Sequence, residues 1–148
     1  MGFRVSLALS ALIALAGTST GEAAPRFPYS TTIQNGDIST ARILFGNGAQ
    51  GGVAGRDAAP VFSDVSAYQT YYAVVTPSEC DDACARRIYH TLSAARRMDT
   101  AIVGERVTVL GAQTDPQDRQ YQICRIRRPL TSRSRSAYIL CNALADQP

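Results

Sequence analysis

TPSECDDACARRIYHTLSAARRMD, residues 76–99, carries two of the chain's four cysteines and its one histidine. It opens with a helix start: Thr76 suits a cap, Pro77 suits the first helical position, and Glu79 completes a T-x-x-E capping box. Asp81 and Asp82 add negative charge near the positive end of the helix dipole. With roughly 100° of rotation per residue, Cys80, Cys84, Ile88, Leu92 and Ala95 fall on one stripe, with Ala85 and Met98 at its margins. Arg86, His90, Ser93 and Arg97 occupy the opposite face. The spacing predicts one amphipathic helix over residues 77–98.

Two cysteines, a histidine and several acids in one segment invite a metal or nucleophile reading. Such a site needs its side chains to converge, and helical periodicity turns His90 away from both cysteines. The helix is therefore read as scaffold, with the arginines solvating one face and the cysteines tethering the other.

The cysteines acquire a role from the start of the chain. Residues 1–25, MGFRVSLALSALIALAGTSTGEAAP, have the parts of a secretory signal: Arg4, an apolar run from Val5 to Ala16, and small residues at Gly21 and Ala23. Cleavage is expected after Ala23, with Ala24 as the alternative, and the run is short for a membrane span of roughly 20 residues. The expected organisation is a signal peptide over 1–23, an irregular arm over 24–37 and one disulfide-bonded domain over 38–148. A secreted or periplasmic location turns an even number of cysteines into a disulfide framework. Zinc is disfavoured, since the chain has one histidine and no second short-spaced cysteine pair.

Downstream of the helix the hydrophobic period changes to two. GERVTVLG (104–111) reads as a strand with Val107 and Val109 inward, and AQTDPQDR (112–119) reads as a turn. RQYQICRIRR (119–128) and RSAYILCNA (135–143) read as two further strands joined by a turn. A hairpin symmetric about that turn sets Cys124 opposite Cys141, which favours a Cys124–Cys141 bond. Cys80 then pairs with Cys84 across one helical turn, although a bond from either to a strand stays open.

Upstream, ISTARILF (38–45) alternates as a strand, GNGAQGGVAGRDAAP (46–60) reads as a loop, and SAYQTYYAVVT (66–76) reads as a Tyr/Val-rich strand. Gly46, Gly48 and Gly51 spell a literal G-x-G-x-x-G, but Gly52, Gly55 and Pro60 prevent the helix that a dinucleotide site needs. The expected class is α+β: a small antiparallel sheet or barrel with one helix packed on it.

ARRIYHTLSAARRMDTAIVGERVTVLG (85–111) resembles the helix-to-strand segment of the receptor-binding B subunits of AB5-type toxins, nearest the subtilase-cytotoxin and pertussis-like groups. Ile88, Tyr89, Leu92 and Ala95 match the helix, and Val107 and Val109 match the strand; GDISTARILFGNG and YYAVV fit the first strands more loosely. The chain departs from that pattern in its longer turn at Thr100–Gly104, its long loop at 46–60 and its arginine-rich C-terminal hairpin. The resemblance implies an OB-like barrel, a homo-oligomeric ring, binding to a cell-surface glycan, and an exported toxin A subunit as partner. No sugar-binding position carries over from it.

All 15 basic residues are arginine, and six of them lie between Arg119 and Arg135 with no acid until Asp146. Such a patch suits an anionic ligand, and acidic glycans are expected to be preferred if these arginines take part. Nucleic acid is not expected for an exported chain. Tyr68, Tyr71 and Tyr72, with Arg125 and Arg127, are the expected glycan contacts, since tyrosine both stacks on sugar rings and donates hydrogen bonds. The sequence offers no paired acid–base groups for catalysis, so a non-enzymatic binding subunit without cofactor is expected. A secreted inhibitor or interaction protein, contacting its target through the arginine hairpin, is the alternative.

Overall fold

The computed structural model describes residues 26–36 and 58–148. The signal sequence, the strand expected at 38–45 and the loop over 46–57 with its G-x-G-x-x-G lie outside the described residues. An antiparallel sheet runs through β1 (Tyr29–Thr32), β2 (Ala58–Phe62), β3 (Met98–Ile102), β4 (Arg106–Thr114), β5 (Gln122–Arg127) and β6 (Ser136–Leu140). Two helices, α1 (Val65–Val75) and α2 (Asp82–Ala94), stand between β2 and β3. The chain is thus α+β, with strand order β1-β4-β5-β6-β2-β3.

Chain connectivity forces this sheet to roll. β3 and β4 are four positions apart in the strand order, which in a flat sheet is roughly 19 Å. The link from Ile102 to Arg106 spans at most about 14 Å fully extended. It is in fact a tight turn, with Glu105 N–H donating to Ile102 O at 3.0 Å and Gly104 at φ +94°. The two strands therefore meet at this turn, and Ile33 just beyond β1 bonds to both Gly104 and Glu105.

The inner face of the roll is filled by Ala59, Val61, Ala101, Val107, Val109, Cys124, Ile126, Ala137 and Ile139, closed by Ile33 and Leu144. Three of these strand positions are alanine, which lets opposing walls approach. On the outer face, Phe62, Met98 and Ile123 pack under Tyr68, Tyr71 and Leu92 of the helices.

Residues 66–76 form a helix, not a strand: Asp64 caps it by accepting from Ala67 N–H at 2.8 Å. Its packing residues Tyr68, Tyr71, Tyr72 and Val75 follow helical spacing, which outweighs the strand preference of Tyr and Val. Thr76 consequently ends α1 and does not open the next helix. The capping box does not form; Asp81 caps α2 by accepting from Cys84 N–H at 2.8 Å. α2 ends at Ala94 in a left-handed exit at Arg96, and Met98, expected as the last helical residue, instead begins strand β3, which also takes in Thr100–Ile102 of the expected turn. Within α2 Leu92 is buried and His90 exposed, as expected, whereas Ser93, expected on the face opposite the core, has its hydroxyl buried. The arm at 24–37 contains strand β1, and the end of the expected loop, Ala58–Pro60, belongs to β2.

Both expected disulfides are present, Cys80–Cys84 and Cys124–Cys141, with Cα atoms 5.2 and 5.1 Å apart. The hairpin register differs by two residues from the symmetric one: Cys124 faces Ile139, and Cys141 lies in the short 3-10 turn that follows β6. No helix among the described residues is long and apolar enough to cross a membrane.

Candidate functional site

One face of α1 and the turn between β4 and β5 form the two walls of a cleft of about 550 Å³. α1 contributes Tyr68 and Tyr72, the turn contributes Asp115, Gln117, Asp118 and Tyr121, and Leu140 of β6 lies between them. Tyr68 and Tyr72 are one helical turn apart, with ring centroids 4.8 Å from each other.

The turn TDPQDRQY is rigid for local reasons. Asp115 Oδ1 accepts from Gln117 N–H at 2.9 Å, and Asp118 Oδ1 accepts from Gln120 N–H at 3.0 Å. These are two successive aspartate turns, each a side chain bonding its own backbone two residues on. Asp115 N–H donates to Tyr121 O at 2.9 Å and closes the loop, so Tyr121 is returned to the cleft rim, where it is 40 % exposed.

A buried pair ties the two walls together. Asp115 is only 5 % exposed, and its Oδ2 accepts from the Tyr68 hydroxyl at 3.1 Å. Burial, followed by the negative field of Asp115, pushes the Tyr68 hydroxyl well above its usual range, so it stays a neutral donor. The cleft is a largely apolar, aromatic concavity with a few fixed polar groups, the general form of a small-ligand site.

The expected contact residues divide. Tyr72 lines this cleft. Tyr68 lines it too, but its ring is largely buried and its hydroxyl is committed to Asp115. Tyr71 is closed within the core against Phe62 and does not belong to the cleft. Arg125 and Arg127 are exposed on β5 and do not line it. Tyr121 was missed because it was placed in the strand over 119–128, whereas β5 begins at Gln122. Asp115, Gln117 and Asp118 were missed because AQTDPQDR reads simply as a turn. Its two aspartates, each two residues ahead of a backbone N–H they bind, were the available signal of a rigid loop.

The arginine-rich segment is not one surface either. Arg128 is buried, and its guanidinium bonds Glu105 and Asp99 at 2.7 Å each and the carbonyl of Thr100 at 3.1 Å. It is a fastener of the rolled sheet. Compared with known proteins, the chain matches no family model, no curated protein and no solved structure.

Proposed function

We propose that this protein is an exported, non-catalytic binding domain whose tyrosine cleft takes a saccharide. The observation that carries the reading is the convergence of Tyr72 and Tyr121 with Asp115, Gln117 and Asp118 around one cleft. A sugar presents an apolar C–H face and a rim of hydroxyls. Tyrosine rings supply the face contact, and carboxylate and amide groups accept and donate to the rim. The polar groups of the walls are acidic or neutral, so the cleft itself favours a neutral saccharide over the acidic glycan that the arginines suggested.

An OB-like barrel and ring assembly, as in the toxin B subunits, fit this reading. The rolled sheet with helices on one face supports the first. Exposed apolar residues, Ile102 at 50 % and Leu130 at 75 %, supply contact area for the second. Several clefts on one ring strengthen weak sugar contacts by avidity. Leu130, at the tip of the β5–β6 loop beside arginines, also favours the alternative of an interaction protein that docks on one target. A glycan array probed with mature protein separates the two. Binding of neutral oligosaccharides that is lost in Tyr121→Ala supports the saccharide reading, and an empty array with one-to-one capture of a purified enzyme overturns it.

A further inference from the structure

A second cleft, of about 320 Å³, lies at the end of α2 and is lined by Ser93, Arg96, Met98, Asp99, Arg133 and Ser134. It shares no lining residue with the tyrosine cleft. We propose that it is a binding site for an oxyanion, a sulfate or phosphate group, held between Arg96 and Arg133.

Three independent observations converge on it. The first is charge. Arg96 and Arg133 approach from different elements and neither engages an acid among the described residues, whereas Arg97 is taken by Asp64 and Arg128 by Asp99 and Glu105. Asp99, which also lines the cleft, has its carboxylate engaged by Arg128 at 2.7 Å, so the two remaining guanidiniums set the local sign. Planar guanidinium forks match the geometry of a sulfate or phosphate.

The second is backbone conformation. Arg96 has φ +57°, the left-handed region that glycine occupies at most helix ends of this kind. Arg97 N–H donates to Leu92 O and Arg96 N–H to Ser93 O, the bonding pattern of that glycine-favouring exit. An arginine retained where glycine is the unstrained choice points to a use for its side chain.

The third is the Ser93 hydroxyl. It is buried and has no hydrogen-bond partner among the described residues. A serine in a helix commonly returns its hydroxyl to the carbonyl four residues back, as Thr91 does to Arg87. Ser93 instead lines the cleft, and rotation about its single χ1 bond turns the hydroxyl onto a bound oxyanion.

The test is an amide-resolved NMR titration of the mature protein with inorganic sulfate at constant ionic strength, chloride being the balancing ion. Saturable shifts confined to residues around Ser93, Arg96 and Ser134 are expected. Arg96→Gly is the informative variant, because it relieves the left-handed residue: it should raise the thermal midpoint while weakening sulfate by about tenfold, the scale of one lost charged hydrogen bond. Arg133→Gln should weaken it similarly, and Ser93→Ala less. A sulfated disaccharide binding more tightly than free sulfate assigns the site to sugar-borne sulfate, while equal binding of sulfate and phosphate assigns it to a free ion. Shifts that do not saturate, or that persist unchanged in Arg96→Gly, overturn the proposal.

Discussion

Arg128, just past the end of β5, reaches across the mouth of the rolled sheet to Glu105 in the β3–β4 turn, with its Nε 2.7 Å from Oε1. The same guanidinium bonds Asp99 in β3, so one side chain binds β5 to a strand that a flat sheet would hold far away. Its side chain is 4 % exposed and that of Glu105 15 %, so removing it strands carboxylates in a poorly solvated place. Arg128→Met should cost about 3 kcal/mol. The cost should shrink in the Glu105→Gln background, as urea denaturation of the four members of the cycle would show.

Acid should loosen the start of α1. The Arg97 guanidinium, with lesser help from Ser63 and Ala67 N–H, outweighs partial burial and holds the Asp64 carboxyl down at about 2, against an ordinary 3.8. Because the folded value is the lower one, the stabilisation is fully present above about pH 4 and is lost as pH falls toward 2. Asp64 is well exposed, so solvent screening reduces the effect to on the order of 1 kcal/mol. Asp64→Asn keeps the helix cap but removes this part of the acid sensitivity, which unfolding at pH 6 and at pH 2.5 would resolve.

Two left-handed residues should answer oppositely to substitution. Gly104→Ala meets no side chain or backbone within 4 Å, so its cost is backbone strain alone, about 1 kcal/mol. Arg96→Gly removes a comparable strain and should stabilise by up to about 1 kcal/mol. Thermal midpoints moving in the same direction for both would contradict the turn assignments.

The two disulfides should differ in weight. Cys124–Cys141 closes the longer loop, with a sequence separation of 17, and its loss should cost about 3 kcal/mol by chain entropy. Cys80–Cys84 closes a separation of 4, and about 2 kcal/mol is the corresponding figure. Paired Cys→Ser variants compared by denaturant midpoint would rank them.

The strands at 104–111, 119–128 and 135–143 were legible because one face of each lines the rolled sheet, which leaves alternation at Val107, Val109, Ile126, Ala137 and Ile139. Met98–Ile102 was not, because its buried residues, Met98 and Ala101, are three apart and show no period of two. The segment at 66–76 was not, because three tyrosines and two valines carry strand preference while their burial follows a helix. Thr76-Pro77 misled for a related reason: it is a junction between helices, and a junction carries start signals and stop signals together. The cleft was half legible. Tyr72 was named from composition, but the opposite wall depends on where the β4–β5 turn lands after the sheet rolls, and no local pattern encodes that.

Saccharide binding in the tyrosine cleft is most directly tested by titrating neutral oligosaccharides against the protein's own tyrosine fluorescence. The chain contains no tryptophan, so the tyrosine signal is unmasked. Saturable quenching is predicted for the natural protein. Tyr121→Phe should keep most of the affinity, because the ring face is retained, and Tyr121→Ala should lose about tenfold or more, in line with the loss of an aromatic contact. Unchanged affinity in Tyr121→Ala, or no saturable response to any neutral oligosaccharide, would contradict the account.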